Sequence, residues 1–159
     1  MADNGNNPDT VTLTIDGREV TVPKGTSLLE AAKQVGEEIP HYCYHPGLSA
    51  PAQCRLCLVE VEGAPKPLPS CVTQAQQDQV VRTQSDVALG ARTGVLEFYL
   101  VNHPLDCPIC DQAGECDLQN YVHREGRAHG RGREPKRVFG RDDFGGDVLF
   151  YGDRCVMCT

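Results

Sequence analysis

Nine cysteines in 159 residues constrain the fold of this chain more than any other feature. None lies in the first forty residues, and the opening segment is polar and acidic, without the apolar stretch of a secretory signal. Cytosolic thiols are kept reduced, and an odd number of cysteines argues further against a disulfide scaffold. We therefore expect the cysteines to bind metal or metal clusters. They are Cys43, Cys54, Cys57, Cys71, Cys107, Cys110, Cys116, Cys155 and Cys158.

The first half of the chain has the pattern of a small α+β domain. Two alternating β-rich runs are joined by Asp16-Gly17, which is typical of a two-residue hairpin. Ser27 and Glu30 then form a capping box, so a helix is expected to follow and to end at Gly36. A helix that packs across the apolar face of a hairpin indicates a domain of the β-grasp type.

Four segments are expected along the chain, and the fold class is α+β. A long helix begins at Ser85-Asp86 and ends before Pro104, and the second group of cysteines follows it. The predicted segments are a disordered lead-in over residues 1–9, the β-grasp domain over 10–84, a small helical and loop-rich domain over 85–124, and a basic linker with the start of a further site over 125–159.

The first donor set is Cys43, Cys54, Cys57 and Cys71. Three of these thiols lie on one loop, and the fourth follows the next strand. A 2Fe-2S cluster needs two thiolates on each iron and backbone N–H groups turned toward the sulfurs, and a long loop supplies both. The ten-residue gap after Cys43 departs from the plant-type ferredoxin spacing. Zinc knuckles commonly use two Cys-x2-Cys pairs, whereas this set has one, so the spacing favours a 2Fe-2S cluster over zinc.

The second donor set is His103, Cys107, Cys110 and Cys116, which lie within fourteen residues. Three thiolates and an imidazole close together can bind zinc, or a 4Fe-4S cluster with one unusual ligand. A neutral imidazole in place of a thiolate removes one negative charge, which by itself raises the reduction potential of a cluster. Pro104 stiffens the loop, and Gly114 permits the turn before the last cysteine.

Five sequence motifs carry a family resemblance that covers all but the first few residues. The chain resembles the N-terminal part of the large iron–sulfur subunit (the G subunit) of respiratory NADH:quinone oxidoreductase, which is complex I. The motifs are His41-Tyr42-Cys43-Tyr44-His45, Gln53-Cys54-Arg55-Leu56-Cys57-Leu58-Val59, Pro69-Ser70-Cys71-Val72-Thr73, Leu100-Val101-Asn102-His103-Pro104-Leu105-Asp106-Cys107-Pro108-Ile109-Cys110 and Gly114-Glu115-Cys116-Asp117-Leu118-Gln119.

The resemblance implies a ligand set for each cluster. It assigns the first donor set to a 2Fe-2S cluster in a ferredoxin-like β-grasp domain, and the second to a 4Fe-4S cluster with one histidine and three cysteine ligands. Cys155 and Cys158 resemble the start of a further 4Fe-4S site, which is incomplete because the sequence ends one residue later. The resemblance therefore implies a truncated subunit that also lacks the large molybdopterin-oxidoreductase-like region of the family.

The function that the resemblance implies is a one-electron relay from NADH and flavin toward quinone, within a proton-translocating oxidoreductase. No residue of this chain is expected to act as a catalytic acid, base or nucleophile. The expected partners are the other subunits of the peripheral arm, including the NADH- and flavin-binding subunit. The expected location is the cytoplasmic side of the bacterial inner membrane, peripheral through the complex, because no stretch of about 20 apolar residues is present.

Two alternatives remain open at this point. The same cluster modules resemble the diaphorase iron–sulfur subunit of an NAD-linked hydrogenase or formate dehydrogenase. A different class would be a zinc-stabilised interaction module, with the basic segment 124–141 as an arm for nucleic acid. The formal net charge of −7 disfavours nucleic-acid binding by the chain as a whole.

Overall fold

The structure of the protein is a computed structural model, and it describes residues 9–156. Of the predicted lead-in, only Asp9 lies within the described residues. Cys158 lies outside them. The chain forms two compact units, which divide between Arg92 and Thr93. Among the described residues, no helix is both long and apolar enough to cross a bilayer.

The first unit is built on a mixed five-stranded sheet. The strands are β1 (Thr10–Ile15), β2 (Arg18–Pro23), β3 (Leu58–Val61), β4 (Leu68–Pro69) and β5 (Val80–Arg82). They lie in the order β2-β1-β5-β3-β4, and only the β1–β5 pair is parallel. The parallel central pair requires a crossover, and the chain between those strands contains the first helix and the loop with the first cysteines.

The predicted hairpin is present between β1 and β2. Asp16 and Gly17 both have positive φ, at 47° and 79°, which is the backbone of a type I′ turn. The register places Ile15 opposite Arg18, so the turn contains two residues. The carboxylate of Asp16 also accepts hydrogen bonds from the backbone N–H and the hydroxyl of Thr83, at 2.8 and 2.5 Å, and these bonds tie the turn to the end of β5.

The helix α1 (Leu28–Gln34) covers one face of this sheet. It begins as predicted, because the Ser27 side chain accepts a hydrogen bond from the Glu30 N–H at 3.2 Å. The core between helix and sheet is aliphatic, as expected for a chain with only 6% aromatic residues. Its fully buried members include Leu13, Ile15, Val22, Leu28, Leu29, Ala31, Ala32, Val59 and Val81.

Within this sheet, the strand β4 is not predicted from the sequence. The segment from Gly63 to Pro69 has the composition of a turn-rich excursion, yet its end pairs with β3 as the two-residue β4. This strand leads directly into Ser70 and Cys71, so its pairing fixes the approach of the fourth thiol to the loop.

The second unit is mostly helix and loop. Helix α2 (Asp86–Leu100) runs through the division between the units, and α3 (Asp117–Glu125) follows the second group of cysteines. A short hairpin, β6 (Arg141–Asp143) with β7 (Leu149–Tyr151), is followed by a single 3-10 turn, Gly152–Arg154. An α+β fold, with a mixed sheet and helix followed by a small helical region, is therefore confirmed.

Candidate metal centres

The first donor set lies on the loop between α1 and β3 and on the segment after β4. Three prolines, Pro40, Pro46 and Pro51, keep this loop out of helix and sheet because each lacks a backbone donor. The loop nevertheless packs against the core. All four thiols of the set, Cys43, Cys54, Cys57 and Cys71, are buried.

Two residues beside Cys54 have left-handed backbone although neither is glycine. Ala52 has φ 54° and Arg55 has φ 57°. Such residues are uncommon, and they cluster where the surrounding structure imposes a special backbone for ligand binding. Left-handed residues among ordinary ones turn successive N–H groups to one side and create a concavity that favours anions. Here the N–H of Cys54 donates to the Cys43 sulfur at 3.4 Å.

The thiols of the first set perturb one another. The Cys71 thiol donates a hydrogen bond to the Cys57 sulfur and thereby lowers the pKa of Cys57 to about 6. The same bond raises the pKa of Cys71, because that thiol must keep its proton to donate. Burial is the main reason that the pKa of Cys43 is raised, and the Cys54 thiol adds to the effect. The four sulfurs therefore share one electrostatic environment, as ligands of a single group would.

Ser70 fixes the two halves of the first set to each other. Its backbone N–H and its hydroxyl both donate to the carbonyl oxygen of Cys57, at 3.0 and 2.8 Å. The side chain of Ser70 is completely buried. Because Ser70 precedes Cys71, these two hydrogen bonds fix the position of Cys71 relative to Cys57. The donor set fits a 2Fe-2S cluster by chemistry, since soft thiolates and inward N–H groups are what such a cluster requires.

The second donor set surrounds a cavity in the second unit. All four predicted residues, His103, Cys107, Cys110 and Cys116, line a cavity of about 140 Å³. A 3-10 turn over Cys107–Ile109 presents the first two thiols, and Cys116 is the N-cap residue that directly precedes α3. The rest of the lining is mostly apolar and includes Leu100, Pro104, Ala113, Leu118 and Val122.

This cavity has room for a group much larger than one ion, because a cavity that holds one water molecule needs a volume of only about 10–15 Å³. Within residues 9–156, no group of three or more His, Cys, Asp or Glu side chains is close enough together to hold a single metal ion. Burial lowers the pKa of His103, and the positive charge of Lys136 adds to the effect, so the neutral form of the imidazole is favoured. A neutral imidazole and three thiols are donors that suit an iron–sulfur cluster.

The structure adds two charged residues to the second cavity that the sequence did not single out. Asp106 and Arg154 both contribute to its lining. Asp106 precedes Cys107, which could have signalled its position. Arg154 comes from the far end of the described chain, and nothing in the sequence indicates that it returns to this cavity.

The remaining predicted ligands are not brought together by the described structure. Cys155 follows the 3-10 turn Gly152–Arg154 and is exposed. Cys158 lies outside the described residues, so the further 4Fe-4S site stays a prediction.

Two family models match successive parts of the chain. Residues 8–86 match a model described as a 2Fe-2S iron–sulfur cluster binding domain. Residues 92–131 match one described as the iron–sulfur binding region of NADH-ubiquinone oxidoreductase-G. Each matched region contains one complete donor set. The chain thus carries a 2Fe-2S and a 4Fe-4S cluster-binding region, as predicted.

Similar proteins cover nearly the whole chain. The G subunit of the NADH-quinone oxidoreductase of Mycobacterium bovis is 51% identical over 96% of this chain and 19% of its own length. The corresponding G subunit of Rickettsia bellii is 47% identical over 94% of this chain and 22% of its own length. The mitochondrial NADH-ubiquinone oxidoreductase 78 kDa subunit of Neurospora crassa is 47% identical over 96% of this chain and 21% of its own length.

A solved structure has a similar fold over nearly the whole chain. An NAD⁺-reducing NiFe hydrogenase in its H2-reduced state is similar with a TM-score of 0.81 and 30% identity, over 93% of this chain and 62% of that chain. The chain spans about a fifth of the length of the curated relatives that it matches. It belongs to the family of NADH-quinone oxidoreductase G subunits, and it corresponds to the N-terminal iron–sulfur electron-transfer region of those proteins.

Proposed function

We propose that this chain relays single electrons between NADH and quinone as part of an NADH:quinone oxidoreductase. The observation that carries the proposal is that each matched cluster-binding region collects one set of four soft donors in one place. Cys43, Cys54, Cys57 and Cys71 would hold the 2Fe-2S cluster. His103, Cys107, Cys110 and Cys116 would hold the 4Fe-4S cluster. When bound, these clusters accept and release one electron at a time without chemistry at carbon.

The residues of the chain bind, orient and exclude water at these sites. Burial of the four thiols of the first set would keep solvent from a cluster bound there. The Cys54 N–H stabilises negative charge on sulfur, and Ser70 holds Cys57 and Cys71 at a fixed separation. At the second site, apolar side chains surround the donors, and the lowered pKa of His103 favours the neutral imidazole that ligation requires.

The partners that we propose are the other subunits of the peripheral arm, among them the NADH- and flavin-binding subunit. The proposed location is the cytoplasmic side of the bacterial inner membrane, with attachment through the complex. The high identity to several G subunits supports both proposals. The proposed function also requires partners, because an electron relay is useful only between a donor and an acceptor site.

The separation of the two sites can be tested with one substitution in each donor set. The chain is purified anaerobically, its iron and acid-labile sulfide are measured, and the dithionite-reduced protein is examined by EPR. Cys54→Ala is expected to remove the 2Fe-2S signal and leave the 4Fe-4S signal. Cys110→Ala is expected to do the reverse, and Cys155→Ala, which changes an exposed thiol, is the matched control that leaves both.

The outcomes of this experiment separate the alternatives. Colourless wild-type protein with stoichiometric zinc and no sulfide would replace the relay with a zinc-stabilised interaction module. Loss of both signals from Cys54→Ala alone would contradict two separate sites.

A second candidate function is favoured by the fold comparison. The similarity to an NAD⁺-reducing hydrogenase supports a role as the diaphorase iron–sulfur subunit of an NAD-linked hydrogenase. Purification of the tagged protein with its native partners distinguishes the two. NADH:quinone activity in the purified complex supports the first candidate, and NADH-linked hydrogen uptake without quinone reduction supports the second.

A further inference from the structure

Arg154 reaches the second donor cavity from the end of the described chain. It is the last residue of the 3-10 turn Gly152–Arg154, which follows the hairpin of β6 and β7. Although it lies 38 positions beyond Cys116 in the sequence, it lines the same cavity as the four donors. Its side chain is only 17% exposed, which is unusual for an arginine near the surface.

The guanidinium of Arg154 is held from two sides. Its Nη2 and Nε donate to the same carboxylate oxygen of Asp106, at 2.9 and 3.3 Å. Its central carbon lies 4.2 Å from the centre of the Tyr151 ring, within the range of a cation–π contact. A salt bridge to the residue before Cys107 and an aromatic contact on another side together restrict the side chain to one place.

The position of this cation has an electrostatic consequence for the donors. The hydrogen bond to the Asp106 carboxylate is the main reason that the pKa of Arg154 is raised. Arg154 lines the same cavity as the three cysteines of the second donor set, so its positive charge acts on their sulfurs. Asp106 and Asp153 are the acidic side chains nearby, and Lys136 is a second cation on the His103 side. A fixed positive charge stabilises whichever state of the site is more negative.

We propose that Arg154 closes the second donor cavity and that its positive charge raises the reduction potential of the 4Fe-4S cluster bound there. This inference rests on the proposed function, since it assigns the cluster to that cavity. Reduction adds one negative charge inside the cavity, and the guanidinium stabilises that charge. Asp106 fixes the guanidinium and partly offsets its effect, so the two side chains act on the potential with opposite signs.

The inference is tested by EPR-monitored redox titration of the full chain with both clusters assembled. Arg154→Gln removes the charge and keeps hydrogen-bonding capacity, and Arg154→Lys keeps the charge and loses the planar group. Arg133→Gln is the control, because it removes an exposed arginine of the same unit that does not line the cavity. Asp106→Asn and the double variant complete the cycle.

Arg154→Gln is expected to lower the midpoint potential of the 4Fe-4S cluster. A shift of about tenfold in the ratio of reduced to oxidised cluster corresponds to about 59 mV for one electron. Arg154→Lys is expected to restore most of this shift, Asp106→Asn to raise the potential, and the double variant to return toward wild type. Arg133→Gln and the potential of the 2Fe-2S cluster are expected to remain unchanged.

The results that would overturn the inference are distinct from failure of the proposed function. An unchanged potential in Arg154→Gln, or a shift equal to that of Arg133→Gln, removes the electrostatic role. Loss of the cluster from both the Gln and the Lys variants would show that the residue acts only in folding. If the Gln variant alone loses its cluster, a wild-type potential in Arg154→Lys supports the inference and an altered one overturns it. Absence of any 4Fe-4S signal from wild type would instead overturn the proposed function.

Discussion

Cys57 and Cys71 share one hydrogen bond between their thiol groups, in which Cys71 is the donor. The two cysteines come from opposite ends of the segment that contains β3 and β4. Because of this bond the pKa of Cys57 is lowered to about 6, whereas that of Cys71 is raised above its ordinary value. The metal-free protein is thereby prepared for ligation, since one sulfur of the first set is already a thiolate at neutral pH.

The first prediction is that the metal-free chain loses one thiol proton near pH 6. The ultraviolet absorbance of the thiolate reports this step as the pH is raised. Cys71→Ala removes the donor and is expected to move the step upward, toward the ordinary range of a cysteine. Cys107→Ala changes a thiol of the second unit and serves as the control, which should leave the step in place. A step at the same pH in the Cys71→Ala variant would contradict the hydrogen bond.

The same pair gives the stability of the metal-free chain a maximum in alkaline solution. Between about pH 6 and pH 9 the folded state has lost the Cys57 proton that the unfolded state still binds, so the free energy of unfolding rises with pH. Above pH 9 the unfolded chain releases protons that folded Cys71 and Cys43 retain, so the free energy of unfolding falls. Urea unfolding at a series of pH values measures both limbs, and Cys57→Ser is expected to flatten the lower one.

Local sequence signals were sufficient for the framework of the first unit. The hairpin followed from Asp16-Gly17, because few residues other than these adopt the positive φ of a type I′ turn. The start of α1 followed from Ser27, whose hydroxyl caps the helix. The two donor sets could be proposed from the sequence because cysteines grouped along the chain can reach one metal group.

Features that depend on contacts between distant segments were not recognisable. Ala52 and Arg55 adopt left-handed backbone although their residue types give no indication of it, because the packed loop imposes it. The pairing of β4 with β3 joins residues whose composition is that of a turn. Arg154 reaches its cavity through a hairpin whose exposed strands carry no pattern of buried residues.

The second prediction concerns Arg92, a fully buried arginine in α2. Its Nη1 donates to the carbonyl oxygens of Leu58 and Thr83, at 3.2 and 2.8 Å. Leu58 follows Cys57 directly, so this side chain braces the end of the cysteine loop. Arg92→Met removes the charge-assisted donors from buried carbonyls and is expected to lower the free energy of unfolding by about 3 kcal/mol.

Urea unfolding of the complete chain measures this effect. The matched control is Arg82→Met, which removes an arginine with a half-exposed side chain from its ion pairs with Glu60 and Glu62. Surface ion pairs contribute little, so the control is expected to change the free energy of unfolding by at most about 1 kcal/mol. Equal effects of the two substitutions would show that the buried hydrogen bonds of Arg92 are not what stabilises the loop.

The third prediction concerns Glu97 and the basic segment, residues 124–141. The carboxylate of Glu97 accepts hydrogen bonds from the backbone N–H and the Nε of Arg131, at 2.7 and 3.0 Å. The hydrogen bond from the Arg131 side chain is the main reason that the pKa of Glu97 is lowered to about 2. Glu97→Gln is expected to release the segment from α2 and to accelerate tryptic cleavage at its arginines. The effect should resemble that of high salt on the wild type, which screens the pair.

Glu134→Gln is the control for this experiment, because it removes one exposed carboxylate from the same segment. It is expected to leave the cleavage rate unchanged. Similar rates of cleavage in wild type and Glu97→Gln at low salt would show that the Glu97–Arg131 pair does not order the segment.

The fourth prediction tests His103 as a ligand through the potential of the 4Fe-4S cluster. Burial lowers the pKa of this imidazole, so it would bind iron as a neutral donor. His103→Cys replaces it with a thiolate, which adds one negative charge to the site and disfavours the further charge that reduction brings. We expect the cluster to be retained and its midpoint potential to fall, as measured by EPR-monitored redox titration. His123→Cys adds a cysteine on α3 that does not line the cavity, and it should leave the potential as in wild type. An unchanged potential in His103→Cys would mean that the fourth ligand comes from elsewhere.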